Sequence, residues 1–319
     1  MAEPPYGEIV DLLETGQVVP FLGAGVNFGT RQPATAKWDE KAATFLPSGA
    51  ELSRFLASKS NFPSLDERDR TDLAKVASYF AETSARSRLR QRLHEVFDHE
   101  FEPCQIHRYL AELNTPLLIV TTNYDDLTER AFTRANRPYD LVIHPTDRRD
   151  VGASVLWWPH QAKEPEPVAP NKLYLDLEKT TVIYKMHGTV DRQLKQWDSY
   201  VITEEDYVDF LSRMMGQTAV PAQFMRHFRT RHFLFMGYGL NDWNLRVVLK
   251  NLRAVLPTME ESSPEQFPSR NDEDGDLRSW AIQFCPSDLE VELWSARNVR
   301  IYNVEINEFV NRMRAEAGT

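Results

Sequence analysis

The chain has 319 residues, enough for one large domain or a domain carrying an insertion. Apolar residues make up 42% and charged residues 26%, the balance of a soluble globular protein and not of a disordered one. A formal net charge of −10 argues against direct nucleic-acid binding, which needs Lys and Arg in excess on one face.

The two cysteines, Cys104 and Cys285, stand far apart and form no CxxC, so they cannot build a four-cysteine zinc site and no metal is expected. Both are expected as buried, reduced thiols. The first residues, MAEPPYGEIV, lack a basic region followed by an apolar stretch, so no signal peptide is read there. No apolar run reaches bilayer length. The expected setting is the cytoplasm, without a membrane.

Along the chain, short β-type runs alternate with helical stretches, the pattern of a mostly parallel sheet with helices on both faces. The predicted strands are Val18–Leu22, Leu117–Thr121, Leu141–His144, Thr181–Met186, His232–Met236, Ala281–Phe284 and Val299–Val304. Several are rich in Val, Ile, Leu and Phe without alternation, as strands buried on both faces should be. Predicted helices cover Gly49–Ala57, Arg70–Glu82 and Ser87–Phe97, the last with Leu89, Leu93, Val96 and Phe97 at helical spacing. They fall in a helix-rich block from about 30 to 113, read as a helical insertion into the first strand–helix–strand unit. Arg86, Arg88, Arg90 and Arg92 alternate there; at a spacing of two they spread around a helix, which predicts a solvated surface. Stretches 162–171 and 257–276, rich in Pro and acidic residues, are expected as mobile loops. The whole, 1–319, is read as one domain.

Four strand ends carry the chemistry. Val18–Leu22 runs into Gly23-Ala24-Gly25-Val26-Asn27; glycines accept positive φ and let an anion approach backbone N–H groups, although a tight turn explains them equally well. Phe28 stands where a third glycine of GxGxxG would be, and no Gly-Lys-Ser/Thr follows, so neither phosphate-binding fingerprint is complete. Leu117–Thr121 opens into Thr122-Asn123-Tyr124-Asp125-Asp126. Capping by Asn123 or Asp125, with Asp126 and Glu129 as a capping box, accounts for part of that run. It does not require all of Thr122, Asn123, Asp125 and Asp126.

Thr181–Met186 leads to His187-Gly188; a histidine there is either structural or a neutral imidazole able to act as general base near pH 7. His232–Met236 leads to Gly237-Tyr238-Gly239-Leu240-Asn241-Asp242, with Asn241 or Asp242 as N-cap and glycines that let backbone amides meet a ribose or phosphate. In a parallel sheet these four ends converge on one cleft.

In this order the motifs resemble the sirtuin family: Gly23-Ala24-Gly25, Thr121-Thr122-Asn123-Tyr124-Asp125, His187-Gly188 and Gly237-Tyr238-Gly239. The likeness spans roughly Val18 to Val304. It implies a Rossmann-like domain that binds NAD+ through Gly23, Ala24, Gly25, Val26, Asn27, Thr122, Gly237, Gly239 and Asn241. It further implies Asn123 and Asp125 around the nicotinamide ribose and His187 as catalytic base.

The departures shape the functional expectation. The zinc cysteines of deacylase sirtuins are absent, as are the Gly-Ile-Pro-Asp-Phe-Arg segment and the late Gly-Thr-Ser. Gly237–Arg246, Leu46–Leu52 and Thr203–Tyr207 instead resemble divergent bacterial sirtuin-like proteins of anti-phage defence. That likeness implies an NAD+ hydrolase releasing nicotinamide and ADP-ribose, the effector of an abortive-infection system, with NAD+ as substrate. The alternatives are an NAD-dependent protein deacylase and an NAD or ADP-ribose sensor without turnover. The resemblance implies a homo-oligomer, or control by a defence partner such as a HerA-type DNA-translocating ATPase or a short Argonaute.

Overall fold

The computed structural model describes residues 3–31, 33, 35–146, 151–239, 279–295 and 298–318. Helix α1 (Tyr6–Glu14) leads into β1 (Val18–Leu22), all five residues of which are buried. A 3-10 turn, Ala24–Thr30, follows. Helices α2 (Gly49–Lys59), α3 (Glu67–Arg70), α4 (Leu73–Ser84), α5 (Arg86–Phe97) and α6 (Gln105–Glu112) intervene before β2 (Leu118–Thr121). Then come α7 (Leu127–Arg134), β3 (Tyr139–Ile143), β4 (Val155–Trp158), β5 (Glu166–Val168) and β6 (Thr181–Lys185). A small antiparallel pair, β7 (Gly188–Thr189) and β8 (Ser199–Tyr200), precedes α8 (Glu204–Met215), α9 (Ala222–Thr230) and β9 (His232–Met236). The last described elements are β10 (Ser279–Gln283), helix Asp288–Ser295, β11 (Val299–Asn303) and helix Ile306–Glu316.

Nine strands form one sheet in the order β11-β10-β9-β1-β2-β6-β3-β4-β5. All pairings from β11 to β3 are parallel, and the β3–β4 and β4–β5 pairings are antiparallel. The α/β, Rossmann-like fold with helices on both faces is therefore as expected. On one face Phe21, Val120, Tyr184 and Phe235 pack with Phe210 of α8, Phe224 of α9 and Trp294. On the other, Leu22, Ile119, Ile183 and Met236 pack with Ile9 of α1, Leu110 of α6, Phe132 of α7 and Phe309. Burying both faces excludes water from the backbone ladders, and it explains why β1, β2 and β6 are apolar through their middles.

Strand order reverses at β1, with β2, β6 and β3 to one side and β9, β10 and β11 to the other. Such a reversal leaves a crevice beyond the carboxyl ends of the central strands. Helices α2, α4 and α5 stand beside it around an apolar cluster of their own, including Leu56, Val76, Phe80, Leu93 and Phe97. Tyr124, Val190 and Tyr200 from the strand ends share that cluster.

Several expectations are corrected. Strand β5 occupies part of 162–171, which had read as a loop; Pro167 sits in an outermost strand, where its missing N–H costs little pairing. Segment 257–276 lies outside the described residues. The arginines of α5 are not uniformly solvated. Arg86 donates to Asp206 Oδ2 (2.8 Å) and the Tyr200 carbonyl (2.9 Å), and Arg90 donates to the Asp198 carbonyl (2.7 Å). Alternation by two points Arg86 and Arg90, four apart, to one face. Cys104 is buried but Cys285 is exposed, in a left-handed turn (φ 51°) just past β10. No helix among the described residues is long and apolar enough to cross a membrane.

Because Arg86 binds a carboxylate and a carbonyl at once across the boundary of the helical block, Arg86→Ala should lower the unfolding free energy by about 1–3 kcal/mol. Urea denaturation checks this; an unchanged midpoint and slope would contradict the tie.

Candidate active site

The ends of β1, β2, β6 and β9 meet as the topology requires. Gly23 N–H donates to the Met236 carbonyl and Gly25 N–H to the Gly237 carbonyl, both at 2.9 Å, while Val26 N–H turns back to the Gly23 carbonyl at 3.1 Å. The N–H groups of Gly23, Gly25 and Val26 are thus engaged within the protein, as the tight-turn alternative has it. The role of the glycines is close approach. A Cβ on Gly23 would lie 2.7 Å from the Gly237 carbonyl oxygen, and one on Gly25 would lie 2.9 Å from the Gly237 Cα. Gly237 has φ +76°, and its Cβ would sit 2.3 Å from Val26 N, so both the turn and its neighbour demand glycine.

A cleft opens over this junction, lined by Ala24, Asn27, Thr122, Asn123, Asp125 and His187 among others. Six of the expected residues are therefore brought together. Gly23, Gly25 and Gly237 lie in the turns beneath them. Val26 is fully buried in the core of the α1 face, so it supports the turn from behind. Gly239 is described but does not line the cleft, and Asn241 lies outside the described residues.

Asn123 is buried and fixed twice. Its N–H donates to Thr121 Oγ1 (3.0 Å), and its Nδ2 donates to the Gly23 carbonyl (3.2 Å), joining the second strand end to the first. Its Oδ1 has no partner among the described residues. Asp125 caps α7 by accepting from Leu127 N–H at 3.1 Å, and its other oxygen accepts from Asn27 Nδ2 at 2.9 Å. The expected Asp126–Glu129 capping box does not form: Asp126 is the N-cap without a side-chain bond, and Glu129 reaches Lys185 instead. Thr122 Oγ1 is hydrogen-bonded to Tyr238 Oη at 2.9 Å.

His187 stands edge-on to Tyr207 and Phe210, ring centroids 5.4 and 5.5 Å away. Burial among these rings pushes its pKa down to about 4, because the charged form is desolvated. The imidazole is therefore neutral near pH 7. Its Nε2 is buried without a partner among the described residues. Two orphaned polar atoms, Asn123 Oδ1 and His187 Nε2, thus belong to side chains lining one cleft. Leaving such groups unsatisfied costs about 1–3 kcal/mol each, a cost recovered when a bound molecule supplies the missing partners.

The other walls were not read from the sequence as cleft residues, although Leu46–Leu52 is part of the resemblance. Leu46, Pro47, Gly49, Leu52, Leu73 and Phe97 come from the helical block, so it borders the cleft directly. Ser48 and Glu51 form a capping box there, and Arg31 grips both Glu51 oxygens at 3.1 and 2.6 Å. Burial alone would raise the Glu51 carboxyl; Arg31 and the N–H groups of Trp38 and Ser48 outweigh it and bring the pKa to about 2. Tyr207 and Tyr238 also line the cleft. Tyr238 sits inside a quoted motif between two glycines, a signal that was visible. The cleft holds about 130 Å³, room for several water-sized groups at roughly 10–15 Å³ each. Among the described residues no group of three or more His, Cys, Asp and Glu is placed to hold a metal.

The SIR2-like domain family matches residues 117–302, more than half of the chain, and the chain belongs to that family. The matched region contains Asn123, Asp125, His187 and Gly237 but not the first glycine turn. The protein named NAD(+) hydrolase ThsA from Enterococcus faecium is 27% identical over 250 residues, covering 77% of this chain and 42% of that protein. The protein of the same name from Acinetobacter baumannii (strain 532279) is 29% identical over 251 residues, covering 77% and 41%. The one from Bacillus cereus (strain MSX-D12) is 25% identical over 233 residues, covering 68% and 41%. The chain thus spans less than half the length of these relatives.

Gly237→Ala forces a Cβ into backbone and into a positive φ, so it should destabilise the fold by about 1–3 kcal/mol and distort the cleft floor. Chemical denaturation of the purified variant checks it; wild-type stability would refute the glycine-on-glycine account.

Proposed function

We propose that this chain hydrolyses NAD+ to nicotinamide and ADP-ribose in the cleft at the ends of β1, β2 and β6. The observation that carries the reading is a pair of buried atoms without partners among the described residues, Asn123 Oδ1 and His187 Nε2, on side chains that border one cleft. The SIR2-like family and the name NAD(+) hydrolase of the relatives support it.

The bond broken joins the nicotinamide nitrogen to ribose C1. Its electron pair leaves with the pyridinium nitrogen, so nicotinamide departs neutral and needs no acid. The sugar passes through an oxocarbenium-like state, and the oxygen of water bonds to C1. Neutral His187 takes the proton, directly or through a ribose hydroxyl, a role worth ~10²–10⁴-fold. Asn123, held by Gly23, turns its Oδ1 to accept from a ribose hydroxyl or the attacking water. Asp125, braced by Asn27, places negative charge beside the developing positive sugar. Thr122 and Ala24 form the floor, with the glycine turns of β1 and β9 beneath the rest of the dinucleotide.

The chain acts in this reading as one NAD+-binding unit whose helical block forms a cleft wall, in the cytoplasm where NAD+ is abundant. Constant turnover would drain a cell of NAD+, which suits an abortive-infection effector and requires control. We assign that control to self-association or to a separate defence protein, of which a HerA-type ATPase and a short Argonaute are candidates.

Purified protein with NAD+ should yield nicotinamide and ADP-ribose in equal amounts. Asn123→Ala and His187→Ala should each lower the rate by ~10²-fold or more while keeping the wild-type circular dichroism spectrum. Wild-type rates in either variant would overturn the assignment. O-acetyl-ADP-ribose formed from acetylated peptide would favour a deacylase, and tight NAD+ binding without release under any condition a sensor. Since His187 is the base only when neutral, activity should hold on the acid side until pH falls toward about 4 and then be lost. A loss centred at pH 6.5, with the fold intact by fluorescence, would contradict the buried imidazole.

A further inference from the structure

Below the cleft floor lies a second buried cluster that the proposed chemistry does not use. Lys185, the last residue of β6, has a fully buried side chain. Its Nζ donates to the Tyr124 carbonyl (3.3 Å), to the Asp125 carbonyl, and to Glu129 Oε1 (2.8 Å). Taking an ammonium wholly out of water is costly unless it is paired and hydrogen-bonded. Here three acceptors converge on it, and two of them are backbone. A pair needed only to hold α7 on the sheet would require Glu129 alone.

The two carbonyls belong to the rigid peptide planes on either side of the Asp125 Cα. Anchoring both planes on one ammonium therefore fixes the backbone dihedrals of Asp125. The chain that follows β6 adds two further ties: Met186 N–H donates to the Thr121 carbonyl at 2.9 Å, and Val190 N–H, just past β7, donates to the same Tyr124 carbonyl at 2.9 Å. His187 is two residues beyond Lys185. The segment that leads from β6 to the candidate base thus also grips the loop that carries Asn123 and Asp125.

We propose that Lys185 is a positioning residue, whose ammonium sets the Asn123–Asp125 loop against His187. This rests on the reading of the cleft as the NAD+ site. Lys185 touches no substrate in this scheme; it acts through the Tyr124 and Asp125 carbonyls. The bland alternative is a buried ion pair that merely stabilises α7.

Replacing one partner or both separates the two. Lys185→Met strands the Glu129 carboxylate and should lower the melting temperature and the activity together. Lys185→Met with Glu129→Leu removes both charges, and apolar replacement of a buried pair commonly restores stability. We expect the double variant to melt cooperatively near wild type. Its nicotinamide release should still fall by about 10²-fold, with a raised KM for NAD+ and faster hydrogen–deuterium exchange across 121–127. Near-wild-type kcat and KM in a stable double variant would overturn the proposal.

Should the double variant fail to fold, Glu129→Gln decides, because it leaves both carbonyl contacts of Lys185 in place. It should lose far less activity than Lys185→Met does in the fraction that stays folded, and equal losses would overturn the proposal. Wild-type protein that releases no nicotinamide would sink the hydrolase reading instead. Exchange across 121–127 then still tests the clamp, and unchanged exchange in the folded Lys185 variant refutes it.

Discussion

The carbonyl oxygen of Gly23 is where three strand ends are tied together. It accepts Val26 N–H at 3.1 Å and Asn123 Nδ2 at 3.2 Å, and Gly237 approaches so closely that its missing Cβ would lie 2.6 Å away. Each of these contacts depends on β1 being central, with β2 on one side and β9 on the other. A parallel sheet whose order reverses at that strand brings their ends to one crevice. The absence of side chains at the three glycines lets the turns interlock there. Side-chain orientation then follows from backbone placement: Asn123 can donate to Gly23 only because β1 and β2 are in this register.

The electrostatics of the site follow from the same enclosure. His187, shut between Tyr207 and Phe210, is held neutral. Lys185 is equally enclosed yet surrounded by acceptors, and Asp125 has each oxygen committed to a donor. Among the described side chains that line the cleft, Asn123 Oδ1 and His187 Nε2 are the buried polar atoms left without a partner, which makes them informative. Preorganised groups of this kind need little rearrangement when charge develops on a sugar.

Much of this was legible in the residues. The unbroken apolar runs located β1 and β9 at both ends, since strands buried on both faces have no polar positions to blur the pattern. Asn123, Asp125 and His187 were legible as polar residues at strand ends, and the structure brings them to one cleft. Two readings of the first glycine turn, ligand cradle and tight turn, stood level in the residues, because a sequence does not distinguish an amide facing a ligand from one facing another turn. Glu129 looked like a cap because spacing alone ignores Lys185, 56 residues later. Lys185 itself carried a signal, a charge at the end of a buried run, whose meaning required the strand pairing. The walls from the helical block were hidden for the same reason: Phe97 read as one position of an apolar helix face and Leu46–Leu52 as a motif of the resemblance, and the fold sets them beside the cleft.

The central claim is that the nicotinamide end of NAD+ enters the cleft between Asn123 and His187. A crystal structure of the His187→Ala variant soaked with NAD+ tests it most directly. The account predicts the nicotinamide ribose beside Asn123 Oδ1, with the ring among Phe97, Tyr207 and Tyr238. Dinucleotide bound elsewhere, for instance in the groove lined by Trp158, His160 and Arg192, with this cleft left to water, would contradict it.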